Sequence, residues 1–512
     1  MKHLLAVESG STQMSATSNQ AQPMNYNNYS RVLTARGYAL RKDKLTEEQQ
    51  RKIRQELTVA PKGQGRIAAP GKPFTVYFES PLRFYVPRHW ARDVFGPEEA
   101  DAMPEGLDLP SSAQFKGKPF DYQEAILKTF IDADCNGLIC VPCGKGKTFM
   151  ALALAARLKK RFLVIVDKEF LLNQWKGEIE AFFPGLRIGV LQGPRAEVDP
   201  AEYDVTLCMI QSLVQKTYPD GTFRTYGFSI FDECHHLGAS NFSQALLKVQ
   251  TKCMLGLSAT PTRDDGLTKV FEWYLGKPTY WEKRREADTT VSVRGLQFHK
   301  ADESYSEIPV DYRGEPVLAR LLTKVIDCPE RNEWIVDTIL DLLKEEGRRI
   351  LVLGERIKQL EVFEEALAKR NPALKLGYYI GGMKEEKRET AGREADVLLA
   401  SYAMASEAMN IKTLNTVILA SPRKKVEQSV GRILRERPHE RKVMPLIVDV
   451  IDSHGMYQGQ WRKRRAFYKT CGYKIVLQKY KSEETSEDSG SSEDEDEKPQ
   501  QQKGACGFVE ED

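Results

Sequence analysis

Three short stretches carry side chains whose types and spacing could do chemistry. The first runs Val141, Pro142, Cys143, Gly144, Lys145, Gly146, Lys147, Thr148. Glycines let backbone N–H groups approach an anion closely, and a helix N-terminus behind them adds partial positive charge. Lys147 could then reach phosphate oxygens, and the Thr148 hydroxyl could bind a divalent cation. The second stretch is Asp232, Glu233, Cys234, His235, His236, at the end of the apolar run "FSIF". A carboxylate there can hold a cation through water while its neighbour polarises an attacking water. The third is Gln428, Arg432 and Arg435, spaced four and three apart. On a helix they share one face, so two guanidiniums could meet one phosphate.

The same residues admit a different chemistry. Cys140 and Cys143 form a C-x-x-C pair, the spacing of a redox motif or half a zinc site. "CHH" (Cys234–His236) adds possible soft ligands. Adjacent histidines leaving a strand should point to opposite faces, however, and the H-E-x-x-H order is absent. The expectation is a phosphate loop, with Cys140 ending a buried strand as a small apolar group.

These side chains need a scaffold. A strand-like "GLIC" precedes the loop and a helical "FMALALAARLKK" follows it, as a P-loop requires. Val141 stands where G-x-x-x-x-G-K-T has its first glycine. Strand-like runs then alternate with helical ones: "RFLVIV", "DVTLCM", "FSIFD", "CMLGLSA". A second series follows: "RILVLG", "LGYYIG", "ADVLLAS", "TVILAS", "MPLIVDV". Such alternation predicts α/β folding with parallel sheets and crossover helices. Residues 1–30 and 481–512 read as disordered tails. Residues 31–104 read as a basic accessory domain, 105–282 and 332–480 as two α/β domains in tandem, and 283–331 as a linker. In the accessory domain, Thr46 and Gln49 form a capping box and "FTVYFE" alternates like a strand. "PLRFYVPRHW" mixes arginines with aromatics. That mixture suits either stacking on bases and resting on phosphates or packing on the next domain.

Charge narrows the partners. The chain has 512 residues, 41% hydrophobic, and a formal net charge of +3. The last 32 residues hold twelve acidic and three basic ones, which leaves +12 on the first 480. Residues 31–93 alone carry 14 Lys/Arg against 6 Asp/Glu. A basic body favours a polyanion, and the acidic tail could dock a protein partner. Nine scattered cysteines argue against a disulfide framework. No apolar run is long enough to span a membrane, and no signal peptide core is present. An intracellular protein is expected.

The motif order resembles a superfamily 2 helicase of the DExH type. "DYQEAI" resembles the adenine-side motif, with Gln123 as the base-reading residue and Phe120 where arginine is common. "RFLVIVDKEFLLNQWKGEI" resembles motif Ia, with Asp167 where proline is usual. "MIQSL" offers Gln211 and Ser212 to backbone phosphates, and "LSATP" offers Ser258 and Thr260 as the link from hydrolysis to strand contact. His235 would couple the nucleotide site to that link. "RRILVLGERIKQLE" resembles motif IV, and the stretch around Ser401 and Glu407 resembles motif V, with Ala408 and Asn410 replacing glycine and aspartate. "QSVGRILR" resembles motif VI. The resemblance implies two RecA-like domains, ATP and Mg²⁺ as cofactors, and a nucleic-acid substrate, DNA or alternatively RNA. Lys147, Asp232, Glu233, Gln428, Arg432 and Arg435 would carry catalysis. "PCGKGKT", "DECHH" and "GLSATPTRDDGLTKVFEWYLG" are similar to the XPB-like branch. The N-terminal "RGYALRKDKL" and "FYVPRHW" resemble helicases of large DNA viruses, including the poxviral transcript-release type. A virus would place the protein in the host nucleus, a cytoplasmic replication site or the virion, acting in transcription or DNA processing. A remodeller that anneals strands or releases transcripts without unwinding is the alternative.

Overall fold

The computed structural model describes residues 26–62, 71–142, 144–238, 243–282, 287–407, 409, 411, 413–434, 436 and 440–480. The expected terminal tails, apart from residues 26–30, lie outside the described residues, as do Cys143 and Arg435.

Residues 162–166, 205–209, 228–231 and 253–258 are near-continuous apolar runs, as strands covered on both faces must be. They join Asn136–Cys140 in an eight-stranded sheet. Its order is Arg195–Ala196, Ile188–Gln192, Val205–Met209, Phe162–Val166, Phe228–Phe231, Cys253–Ser258, Asn136–Cys140, Pro278–Trp281. All neighbours are parallel except the first pair. Alternate residues feed opposite cores. Ile139 and Val164 point into one, with the helices Asp121–Asp132, Lys147–Leu158 and Glu169–Phe182. Leu138 and Ile165 point into the other, with Thr268–Leu275.

A second sheet of seven parallel strands has the order Leu376–Tyr379, Val397–Ser401, Ile350–Gly354, Thr416–Leu419, Leu446–Asp452, Ser292–Phe298, Lys474–Lys479. The chain therefore holds two RecA-like domains in tandem. The expected linker needs correction. Ser292–Phe298 pairs along its whole length with Leu446–Asp452. Arg331 makes a buried two-pronged contact with Asp452, at 2.6 and 2.9 Å. Much of residues 283–331 thus belongs to the second domain. Charge and irregular composition concealed it, since "VSVRGLQF" alternates imperfectly.

The accessory region folds as a five-stranded sheet ordered Phe78–Glu79, Arg83–Val86, Gly37–Arg41, Arg31–Thr34, Ala100–Asp101. Thr46 caps the helix Glu47–Glu56 with the reciprocal Gln49 contact that the sequence predicts. "FTVYFE" is not one strand. Phe74–Thr75 pairs with Thr58–Val59, and Phe78–Glu79 pairs with Arg83–Val86. The arginine–aromatic mixture is turned inward. Phe84, Trp90, Arg83 and Arg88 are all buried. Tyr38, Phe84 and Trp90 share a core with Phe271 and Tyr274 of the first RecA-like domain. Arg88 donates to the Thr251 and Lys252 carbonyls and to Asn136 Oδ1.

Candidate active site

Parallel register does the positioning. Ser258 pairs with Cys140, and Phe231 with Gly256, so the three strands end within two residues of one another. The loops that follow them emerge side by side at the carboxyl edge, where α/β sheets bind ligands. Gly144 and Gly146 have φ of +88° and +79°, a region that non-glycine residues seldom occupy. A Cβ on Gly146 would lie 2.7 Å from Gln123 Nε2. The helix Lys147–Leu158 starts at once, with Lys147 and Thr148 in its first turn. Val141 is fully buried and is not among the residues with positive φ, so its backbone does not call for glycine.

Gln123 serves the loop as well as any base. Its Nε2 donates to the Lys145 carbonyl at 3.2 Å, and its Oε1 accepts from Phe120 N–H at 3.0 Å. Tyr122 OH reaches the same Lys145 carbonyl, at 3.2 Å. The exposed rings of Phe120 and Tyr122 stack near-parallel beside it.

Asp232 and Glu233 are held tightly. Trp175 Nε1 donates to Asp232 Oδ2 at 2.9 Å, and Glu233 N–H donates to Asp232 Oδ1 at 3.0 Å. Burial pushes both carboxyls above their usual range, while the Lys147 ammonium draws them down. Glu233 has φ of +43°, a strained conformation for a residue with a Cβ. Its Oε2 is buried without a hydrogen-bond donor among the described residues. The Asp232 carboxylate, next to the open Glu233 carboxylate and under the Lys147 charge, offers hard oxygens of the kind that suit a hydrated Mg²⁺ and an attacking water.

The histidines differ from the sequence expectation in their backbone and not in the neighbour of His235, which faces Ser258 of the "LSATP" stretch. They lie in the tight turn Cys234–Gly238, not in a strand, and their rings sit edge-on with centroids 4.3 Å apart. His235 Nδ1 lies 3.0 Å from Ser258 Oγ, and Thr260 N–H donates to that same hydroxyl at 3.1 Å. Burial pushes His235 down to about 3, so this ring is neutral at physiological pH. His236 Nδ1 lies 2.6 Å from Asp167 Oδ2. Burial raises Asp167, but the His236 contact prevails and holds it below its usual range. Among the described residues, no group of three or more His, Cys, Asp or Glu could hold a metal. Burial also pushes Cys140 up to about 12, which leaves a poor nucleophile.

Gln211 and Ser212 point inward. Gln211 Nε2 donates to the Asp167 carbonyl at 2.8 Å, and Ser212 Oγ accepts from Gly193 N–H at 3.0 Å. Their side chains hold neighbouring loops together.

Across the cleft, the helix Glu427–Val430 ends before Arg432. The one-face argument therefore does not hold as a helix argument: past the helix the chain continues in a tightened turn, where Arg432 N–H donates to the Ser429 carbonyl at 3.1 Å. Arg432 Nη1 is anchored on the Met409 carbonyl at 2.7 Å, and its charge reaches Glu233 of the first domain. Gln428 borders a cleft of about 260 Å³, facing Pro142, Thr260 and Glu282. Ser401 ends its strand and Glu407 ends the helix Tyr402–Glu407. Sequence reasoning missed Trp175, and noted Asp167 only as a departure from proline without its contact to His236. Their signal was present in "VDKEFLLNQW", a tryptophan on a helix facing the carboxylate strand.

Two RecA-like domains, a phosphate loop, paired carboxylates and a facing arginine define an ATP-driven nucleic-acid motor. Residues 116–263 match the family described as type III restriction enzyme, res subunit, and residues 331–437 match the helicase conserved C-terminal domain. A protein of Acanthamoeba polyphaga mimivirus, described as a candidate ATP-dependent RNA helicase, is 30% identical over 89% of this chain and 88% of its own. An African swine fever virus protein with the same description is 27% identical over 65% of this chain and 68% of its own. A helicase-named protein of Escherichia phage T5 is 26% identical over 69% and 76% respectively. The solved structure of T4 UvsW matches 85% of this chain and 96% of its own, at 18% identity and a TM-score of 0.33. The chain belongs to the superfamily 2 helicases and resembles those of large DNA viruses; it is an ATP-dependent helicase acting on nucleic acid.

Proposed function

We propose that this helicase works with Mg²⁺ held by Thr148 and Asp232, with Glu233 as general base and Arg432 and Arg435 as arginine fingers. The cation would supply charge neutralisation at the β- and γ-phosphates. Glu233 would accept the attacking water's proton at Oε2. Gln428 would join the arginines at the γ-phosphate. The carrying observation is the Glu233 carboxylate, buried with Oε2 unpaired among the described residues and set against Asp232 beside the phosphate loop. ATP would bind the closed arrangement better than the open one, and hydrolysis would release that preference. The chain His235–Ser258–Thr260 supports a link from hydrolysis to the strand-contact loops.

Single-stranded nucleic acid would lie across both domains, held mainly by phosphates. The basic body supports DNA as substrate, and the names of the mimiviral and swine fever relatives support RNA. A role in viral transcription or DNA processing is part of the same proposal, supported only by the viral origin of these relatives. Ala408 and Asn410 in motif V favour a second reading, a nucleic-acid-stimulated ATPase that remodels strands without unwinding. No helix among the described residues is long and apolar enough to cross a membrane. The deciding experiment measures ATPase stimulation by single-stranded DNA, duplex DNA and RNA, then displacement of 3′- and 5′-tailed duplexes. Turnover unchanged by every polynucleotide would overturn the nucleic-acid reading. Stimulation without displacement would establish the remodeller.

A further inference from the structure

The helix Gly455–Thr470 carries five cations, Arg462, Lys463, Arg464, Arg465 and Lys469, and no acidic residue. Arg464 turns inward, where its Nε and Nη2 both donate to the buried Asp449 carboxylate at 2.8 Å. The other four are exposed. Arg462, Arg465 and Lys469 lie three and four residues apart and share one face, and Lys463 flanks it. Among the described residues none of these four has an ion-pair partner. Like charges at such spacings repel one another, so the face calls for an anion. The strand Lys474–Lys479, which follows, adds an exposed lysine at each end.

The chain itself supplies an anion close by. Tyr480 follows that strand and is the last described residue. Its ring centroid lies 4.7 Å from that of Phe298 and 5.3 Å from that of Trp334. Met456, in the first turn of the basic helix, packs against the same cluster. Residues 481–512 therefore start beside that helix. Nine of their twelve acidic residues fall between Glu483 and Glu497. The densest run, "EDEDE" (Glu493–Glu497), begins thirteen residues past Tyr480. Such a length can reach at most about 45 Å, whereas a helix of this size is about 24 Å long. The whole basic face is within range. A tether this short also gives the acids an effective concentration on the millimolar scale.

We propose that the acidic segment Glu483–Glu497 docks on the basic face of the helix Gly455–Thr470 of its own chain. Arginine offers forked donors and lysine a point charge to the carboxylates. A nucleic-acid strand would suit the same charges. The segment is favoured because its charge is complementary and its first residue is fixed next to the helix, whereas a strand must be captured from solution. Docking withholds these cations from other polyanions until the segment is displaced. It regulates access to a surface outside the ATP site and does not depend on the assignment of that site.

The test treats the full chain with a water-soluble carbodiimide, which joins a carboxylate to a lysine amine in contact with it. Peptide mapping by mass spectrometry should find Glu483–Glu497 joined to Lys463 and Lys469. The yield should collapse near 1 M salt, where the screening length is about 3 Å. Arg462→Glu combined with Arg465→Glu should cut it by about 5-fold, the weight of two exposed ion pairs. Thermal melting checks that this variant folds, and the wild-type map with its salt dependence decides the matter even if it does not. Links spread evenly over exposed lysines such as Lys52, Lys176 and Lys387 would overturn the proposal. So would links that form mainly between chains, read by mixing isotope-labelled and unlabelled protein. Without links at Lys463 and Lys469, weaker duplex DNA binding by the variant, with a salt slope lowered by about 2, would assign the face to nucleic acid instead.

Discussion

Glu233 shows how a single residue is prepared for its task. Its backbone is left-handed, its Oε2 has no donor among the described residues, and two cations from different domains act on it. Strain of this kind persists where surrounding structure over-determines it, and here Asp232 and the turn Cys234–Gly238 do so. Glu233→Gln should therefore keep ATP binding and slow hydrolysis by about 10²–10⁴, the usual contribution of a positioned base. Nucleotide affinity and single-turnover hydrolysis measured side by side check this, and near-normal turnover would remove Glu233 from the mechanism. Gly146→Ala should act earlier. Its φ and the Gln123 amide both oppose a Cβ, so ATP affinity should fall at least 10-fold, read by nucleotide titration. Both residues were legible in the sequence because the loop's chemistry is carried by backbone and spacing. The histidine geometry was not, since a 3₁₀ turn after the strand sets the two rings edge-on, His235 toward Ser258 and His236 toward Asp167, which residue order alone does not reveal.

At the scale of elements, central strands were readable and peripheral ones were not. Phe162–Val166 and Ile350–Gly354 are covered on both faces and so are apolar throughout. Lys474–Lys479 is an edge strand, largely exposed and rich in lysine, and carries no such signature. Composition also left two fates open for "PLRFYVPRHW", and burial decides for packing. Arg88 is the fastening: Nη2 donates to the Thr251 carbonyl at 2.8 Å, and burial pushes its guanidinium down to about 10. Arg88→Ala would leave buried carbonyls and Asn136 unsatisfied, and should cost about 2–4 kcal/mol by denaturant titration. The salt slope of nucleic-acid binding should not move; a flattened slope would mean that Arg88 serves phosphates instead. Acid should loosen the same interface. Burial pushes His89 in the helix Arg88–Phe95 down to about 3 from a usual value near 6.5. The unfolded chain therefore binds the extra proton, and stability present above about pH 6.5 is lost progressively as pH falls toward 3. His89→Gln should flatten the decline in melting temperature between neutral pH and pH 5, and an unaltered decline would exclude His89 as its source.

For the whole molecule, the question is what sets the balance between open and closed domains. Lys424 and Lys425 of the second domain both meet Asp264 of the first, at 3.3 and 3.1 Å. The Lys425 contact, with Lys424 behind it, holds the Asp264 carboxyl below its usual range. Asn173 and Glu385 add a hydrogen bond at 2.8 Å on another side of the cleft. None of this was legible in the sequence, because the partners lie far apart in the chain and motif spacing does not say which of them meet. All three side chains of the lysine–aspartate cluster are about half exposed. Such contacts are individually weak, of order 0–1 kcal/mol, and are screened by salt. A motor that must open on every cycle is better served by a weak latch than by a buried pair such as Arg331–Asp452. Asp264→Ala should accordingly leave folding intact and favour the open form. A shift of at most 1 kcal/mol corresponds to a KM for ATP raised by up to about 5-fold at low ionic strength. The difference should vanish near 1 M salt, where charges more than about 3 Å apart are screened. ATPase titrations at both ionic strengths decide the matter. A KM effect that persists in high salt would show that Asp264 acts through packing at the cleft, and an absent effect at low salt would show that the ion pairs do not bias closure.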